Sequence, residues 1–138
     1  MEIVIKRYTS LQRALNTLDN ACVILKNPAY ASLYEQLRDS AIKRFEYTID
    51  AFWKFLKLYM QEILKVDTDA SSPRAILQKS FDIGIIDKDT HLLLLECIAS
   101  RNLTSHSYDE NLAEEIVQNI PRYYSIMRTV FDSLNVLE

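Results

Sequence analysis

Apolar residues recur along three stretches of the chain at alternating four- and three-residue steps. The first stretch carries Val4, Tyr8, Leu11, Leu15, Leu18, Cys22 and Leu25. The second carries Phe45, Ile49, Phe52, Leu56, Tyr59 and Ile63, and the third Ala113, Val117, Ile120, Tyr124, Met127, Phe131 and Leu134. Such spacing keeps the apolar positions on one slowly drifting stripe of a helix, the pattern of left-handed bundle packing. The polar punctuation agrees. Asn27-Pro28 closes the first helix and opens the second, with Ser32 and Glu35 spaced as a capping box just beyond. The second helix is predicted to run to about Leu64, with room for a bend near Arg38. The residues from Lys65 to Ser71 form a polar connector. Ser72-Pro73 starts a short helix that Gly84 stops, Asp87 caps a further helix through Leu92, Leu95 and Ile98, and Asp109 caps the last, in which Pro121 is a candidate kink.

These elements predict an all-α fold, an antiparallel up-and-down four-helix bundle with one additional short helix, in a single domain spanning residues 1–138. Composition points the same way. A β-rich chain of 138 residues would need many turn residues, and this one has one glycine and three prolines. Its formal net charge of −3 provides no global footprint for nucleic acid, so any RNA or nucleotide contact must be local. Cys22 and Cys97 lack metal-ligand spacing and sit among apolar residues, which predicts buried thiols. The N-terminus lacks the order of a secretory signal, and no apolar run approaches the ~18 residues of a membrane span. The expectation is a cytoplasmic protein without membrane contact.

One segment stands apart from the packing pattern. Arg101-Asn102-Leu103-Thr104-Ser105-His106-Ser107-Tyr108 brings together a permanent cation, a group that exchanges protons near neutral pH and a phenol. A cation there also complements a helix C-terminus. On a continuous helix Arg101 and His106 would lie about 140° apart, at roughly 100° per residue. Sharing a face therefore requires the helix to end between them or a second chain to complete the site. His91, about 15 Å earlier along the helix axis, reads as a solvent-facing residue. Tyr30, Tyr34, Phe52, Trp53 and Phe55 read as core or dimer interface. No carboxylate–histidine spacing suggests a metal, and no cofactor is expected.

The segment resembles the signature of the HEPN superfamily, an Arg followed by a polar residue and then a His. Arg101-x4-His106-x-Tyr108 is similar to the version found in HEPN partners of minimal nucleotidyltransferases. The flanks Arg44-Phe45-Glu46-Tyr47-Thr48, Trp53-Lys54, Ser72-Pro73-Arg74 and Asp109-Glu110 extend the resemblance over nearly the whole chain, to the nucleotidyltransferase substrate-binding family. The resemblance implies a helical bundle that forms a homodimer, works beside a minimal nucleotidyltransferase and often belongs to a toxin–antitoxin pair. It implies Arg101 and His106 as the catalytic pair of a metal-independent endoribonuclease, Asn102 and Arg101 as substrate-binding residues, and Tyr108 as the tyrosine that the transferase adenylylates.

Elementary chemistry adds a constraint. Cleaving RNA without a metal requires activating a 2′-hydroxyl, protonating the departing 5′-oxygen and stabilising charge on phosphorus. One histidine serves both proton transfers poorly. A two-fold axis brings two copies each of His106 and Arg101 together, and Arg101 can hold a phosphoryl group by two parallel hydrogen bonds. A non-catalytic nucleotide-binding or scaffold subunit of the transferase complex would use the same cleft, and the sequence does not separate the two. The chain carries no Gly-Ser pair with spaced aspartates, so it is not expected to be the nucleotidyltransferase itself.

Overall fold

α1 spans Glu2–Leu25 and buries Val4, Leu11, Leu15 and Leu18. Its end is set by Asn27, whose side chain accepts a hydrogen bond from the Ala29 backbone N–H at 3.0 Å. Pro28, with φ fixed and no N–H to lose, then opens a six-residue 3-10 turn, Pro28–Leu33. The capping box expected at Ser32 and Glu35 does not form. Ser32 lies inside that turn, and α2 (Tyr34–Glu62) starts after Leu33 without a side-chain cap. The remaining starts follow the sequence. Ser72 caps α3 (Pro73–Asp82), Asp87 caps α4 (Lys88–Leu103) and Asp109 caps α5 (Glu110–Ser133), each accepting a backbone N–H of the first turn. Gly84, at φ +85°, makes the left-handed turn after α3. α5 passes through Pro121 unbroken. The structure, a computed structural model, describes residues 1–134 and Val136.

Side-chain contacts fix the helix directions. Ala14 and Thr17 of α1 meet Thr48, Tyr47 and Arg44 of α2, so these helices are antiparallel. α5 is antiparallel to α1, with Arg128 bonding Asn16 and Tyr8 stacked on Phe131 at 4.6 Å. α4 is antiparallel to α5, Glu96 bonding Tyr123 while Leu103 and Leu112 line the same groove. α2 and α5 therefore run parallel, as diagonal members of an up-down-up-down bundle. They also touch, through Phe45 on Tyr123 at 5.5 Å and Phe55 near Phe131 at 6.2 Å. α1 and α4 pack on opposite flanks of this central pair. The result is the predicted all-α bundle, with α3 as the additional short helix.

The buried side chains form one cluster running from Val4 to Val136, built around Phe45, Phe52, Phe55 and Phe131. Burying each such side chain contributes on the order of 1.5–3 kcal/mol. Cys97 lies within it and burial pushes its thiol far up, whereas Cys22 is only half-buried; both are free. Phe52 and Phe55 are core, but Tyr30 is exposed and Trp53 half-buried. His91 departs from its expected solvent-facing position. It is 7% exposed and stacks on Phe81 at 5.1 Å, because α3 folds back over the first turns of α4. No helix among the described residues is long and apolar enough to cross a membrane.

A buried cation ties the start of α5 to α2. Arg38 is 3% exposed and donates to Glu110 at 2.6 Å, to Glu114 at 3.2 Å and to the neighbouring Asp39 at 3.1 Å. Tyr34 joins by donating its phenol hydrogen to Glu114 at 2.8 Å. Burial and that bond push the Tyr34 pKa up to about 12. Glu110 and Glu114 also sit at the positive end of the α5 dipole. Removing the cation leaves carboxylates that are partly solvated, so the cost falls between that of a fully buried pair and that of a surface one. Arg38→Ala is expected to lose about 2 kcal/mol in urea unfolding at pH 7. The Arg38 hydrogen bond holds the Glu110 carboxyl below its ordinary value. This contribution is therefore complete above the unfolded pKa of about 4.3 and fades as pH falls through the lower folded value. The difference between wild type and variant is expected to shrink below about pH 4.

Candidate functional site

Arg101 occupies the last turn of α4, where the helix must stop. Thr104 sets that stop. Its hydroxyl donates to the Arg101 carbonyl at 2.7 Å and accepts from Arg101 Nη1 at 3.2 Å, and the residue is 2% exposed. The chain tightens into a 3-10 turn, Thr104–His106, closed by Ser107 N–H to the Thr104 carbonyl and Asp109 N–H to the His106 carbonyl. The regular helix thus ends between Arg101 and His106, one of the two ways to escape the 140° offset.

From α4 the Arg101 guanidinium reaches across to α2. Nε donates to Asp50 Oδ1 at 3.2 Å and Nη2 to Asp50 Oδ2 at 3.0 Å, a bidentate fork, with Glu46 Oε2 at 3.9 Å from Nη1. The hydrogen bonds to Asp50 raise the Arg101 pKa further, so the charge is permanent. Two of its N–H groups face Asp50 and one Thr104, leaving two of the guanidinium's complement free to meet another acceptor. The side chain is 30% exposed, so that edge is reachable. Glu46 and Asp50 were not singled out from the sequence. Their four-residue spacing on α2 was the available signal, and it reads as an ordinary polar edge until α4 is laid beside it.

His106 and Tyr108 project from the turn. The Tyr108 hydroxyl lies 3.4 Å from His106 Nδ1, the rings meet edge to face at 6.0 Å, and Tyr108 is 81% exposed. Asn102 is exposed on the same turn of α4 as Arg101, and its side chain makes no hydrogen bond among the described residues. Within one chain, then, the structure groups Arg101 with Asp50, Glu46 and Thr104, and His106 with Tyr108. No hydrogen bond among the described residues joins the two groups. Among the described residues, no cluster of His, Cys, Asp or Glu is arranged to hold a metal ion.

The outer face of α4 beside this turn mixes exposed apolar residues with Glu96, which is paired to Arg122 of α5. Leu92 is 55% and Leu103 45% exposed, and Ala99 lies exposed between them on the same side of the helix. A groove of ≈240 Å³ separates α4 from α5, with Leu103, Ser100 and Glu96 on one wall and Leu112 and Tyr123 on the other. Burial, followed by the hydrogen bond to Glu96, pushes the Tyr123 phenol well up, so it stays protonated as a donor.

The chain is thus a small helical bundle with Arg101 in the last turn of α4 and His106 and Tyr108 on the turn that follows. Residues 6–136 match the nucleotidyltransferase substrate binding protein-like family, and the chain belongs to that family. It is similar to a protein of Thermus thermophilus, at 33% identity over 88% of this chain and 96% of that one, with a TM-score of 0.78. It is also similar to HI0074 of Haemophilus influenzae, described as having the fold of a substrate binding domain of a nucleotidyltransferase. There the identity is 20%, the coverage 91% and 97%, and the TM-score 0.76. A chain from a toxin–antitoxin complex with AMP-PNP shares the fold at 14% identity, with coverage of 98% and 99% and a TM-score of 0.74. No curated protein sequence matches the chain.

Asp50 holds the Arg101 fork in place, so Asp50→Asn is expected to free it while leaving the fold intact. In nitrogen–proton NMR the Arg101 Nε–H signal should lose its protection from exchange with water. Stability should change by no more than about 1 kcal/mol, as for a partly exposed ion pair. An Arg101 signal unchanged in the variant would mean that Thr104 and Glu46 suffice.

Proposed function

We propose that this chain is the substrate-binding, HEPN-type partner of a minimal nucleotidyltransferase in a toxin–antitoxin-like pair. It acts as a cytoplasmic homodimer whose paired Arg101 and His106 residues form a metal-independent endoribonuclease site. The observation that carries the reading is the construction of the α4 terminus. A cation locked in orientation by Asp50 and Thr104 is followed at once by an exposed His106 and Tyr108 on a tight turn. An arginine whose only task was to neutralise Asp50 would not require a histidine–phenol pair beside it. The family and the fold it shares with a toxin–antitoxin chain support the partnership. The exposed Leu92, Ala99 and Leu103 of α4 support a second copy packing next to the turn.

In this reading two protomers set their turns against one scissile phosphate. One His106 takes the proton from the 2′-hydroxyl as that oxygen attacks phosphorus. The other gives a proton to the departing 5′-oxygen, leaving a 2′,3′-cyclic phosphate and a 5′-hydroxyl. The free N–H groups of Arg101 stabilise the charge that builds on the non-bridging oxygens, and the exposed amide of Asn102 bonds the same phosphate. Asp50 and Thr104 act through Arg101, as positioning residues. His106→Ala and Arg101→Ala are each expected to lower RNA cleavage by about a hundredfold or more without changing the helical circular dichroism signal. Cleavage by His106→Ala at the wild-type rate would remove the catalytic reading and leave a binding subunit.

Tyr108 is the control point of this site. Its hydroxyl attacks the α-phosphorus of ATP held by the partner transferase, pyrophosphate leaves, and the phenolic proton passes to a base, for which His106 Nδ1 at 3.4 Å is placed. The attached nucleotide then carries a negative phosphate to the turn that Arg101 and His106 share, where it competes with RNA phosphate. After incubation with the transferase and ATP, wild type should gain the mass of one adenylate per chain and lose cleavage. Tyr108→Phe should gain none and stay active. Equal addition to both would place the acceptor elsewhere.

A further inference from the structure

The excess of acid in this chain is unevenly distributed. Residues 1–66 carry ten Lys and Arg against seven Asp and Glu, while residues 67–138 carry six against twelve. The basic half is α1 and α2, and Arg13 lines the outer groove between them, with Arg44 reaching Thr17 beside it. That groove, ≈380 Å³, is lined by Ser10, Arg13, Ala14, Thr17, Tyr47 and Ala51. Its exposed lining is largely apolar, with Ser10, Arg13, Thr17 and Tyr47 contributing the polar groups. Arg44 crosses from α2 to donate to the Thr17 carbonyl at 3.0 Å. Tyr47, 43% exposed, is fixed by a 3.0 Å hydrogen bond to the Thr17 hydroxyl. Lys54 lies two turns along α2 on the same face as Tyr47, and Lys6 stands seven residues before Arg13 on the matching face of α1. Among the described residues none of Lys6, Arg13, Arg44 and Lys54 is in an ion pair. The carboxylates nearest on α2, Glu46 and Asp50, are turned toward Lys43 and Arg101.

The groove is continuous with the Arg101 turn. Thr17 touches Tyr47 and Arg44, the next ridge of α2 holds Lys43 and Glu46, and Glu46 and Asp50 hold Arg101. Cations thus recur on three helices, from Arg13 and Arg44 to Arg101, with Tyr47 between them and the carboxylates of Glu46 and Asp50 paired to Lys43 and Arg101. α4 is antiparallel to α2, so the chain beyond Arg101 heads toward the turn of α2 that carries Lys43. Unpaired cations spaced along a shallow groove, with a half-exposed ring to take a base, are the elements of a single-strand track. They do not fit a duplex, which would need a broader cationic face.

We infer that the α1–α2 groove is a binding track for single-stranded RNA that leads its phosphodiester backbone to the Arg101–His106 turn. Arg13, Arg44 and Lys54 take phosphates, and Tyr47 stacks a base. The inference rests on the proposed RNA-directed function and names the surface that selects an unpaired strand. The test uses the full-length chain carrying His106→Ala, so that bound RNA stays whole. The probe is a fluorescein-labelled oligouridine of about 12 nucleotides, within the range that single-strand sites cover, read by anisotropy across a salt series. Adding Arg13→Gln and Lys54→Gln should weaken binding about tenfold near 0.1 M salt and flatten the log–log salt slope by about 1.4, at roughly 0.7 per lost phosphate contact. Adding Tyr47→Leu should weaken it about tenfold with the slope unchanged, because stacking releases no counterions. Arg74→Gln with Lys88→Gln, on α3 and α4, should leave binding as it was.

Unchanged RNA affinity and slope in the groove variants would overturn the track. So would groove variants that keep RNA but lose the partner transferase, which would make the groove a protein interface. The two readings fail separately. If the His106→Ala chain binds RNA through the groove while wild type never cleaves it, the track stands and the nuclease reading falls. If cleavage depends on His106 yet the groove variants bind and cleave normally, the nuclease reading stands and the track falls.

Discussion

The parallel contact between α2 and α5, closed by Phe45 on Tyr123 and Phe55 against Phe131, is the constraint on which the remaining geometry depends. In a square bundle those helices would be diagonal and apart. Bringing them together pushes α1 and α4 to opposite flanks, each seated between the same two partners. α2 consequently presents three working sides. One faces α1 through Thr48 and Tyr47, one faces α5 through Phe45 and Arg38, and one faces α4 through Glu46 and Asp50. Since α2 positions both Arg38 and the carboxylates that hold Arg101, the packing core and the candidate site share a single rigid element. Sites carried on helices locked by packing are positioned more sharply than sites on free loops.

Two arginines on that frame show how burial and partner choice assign different tasks to one residue type. Arg38 is almost wholly buried and spends its donors on Glu110, Glu114 and Asp39, so it joins helices. Arg101 is nearly a third exposed, and Asp50 takes only one edge of its fork. The first arrangement leaves nothing for a ligand. The second fixes the plane of the guanidinium while keeping donors free, as an oriented phosphate clamp requires. Exposure, more than sequence motif, distinguishes the structural cation from the one suited to chemistry.

Much of this architecture was legible in the sequence because it depends on local period and local caps. The three apolar stripes became α1, α2 and α5, and Ser72, Asp87, Asp109 and Gly84 mark boundaries where predicted. Departures arose where tertiary packing decides. Ser32 and Glu35 have capping-box spacing, but Pro28 had already committed the chain to a 3-10 turn and Asn27 supplied the cap. His91 looked solvent-facing because nothing local reveals that α3 returns to cover it. The turn after Arg101 was readable, since Asp109 needs a break before it. The grip of Asp50 on Arg101 was not, because the partners are 51 residues apart and meet only after α2 and α4 are placed side by side.

The exposure of Tyr108 constrains how two copies can meet. A phenol that is 81% exposed on a short turn gains little from the core, so packing does not explain its position. Under the proposed adenylylation it would enter the active site of another enzyme, which requires an open approach to the turn. The neighbouring His106 must at the same time face its counterpart across the proposed dimer axis. In the proposed dimer both demands would be met by pairing along Leu92, Ala99 and Leu103 of α4, with the turn at the rim of the contact. The His106 and Tyr108 rings meet edge to face at 6.0 Å, and Tyr108 is 81% exposed. A dimer centred on the turn itself would cover the exposed Tyr108 and close off the proposed modification. On the proposed function, the exposed Leu92, Ala99 and Leu103 of α4 would serve association, and the polar turn that follows them a site open to a second protein.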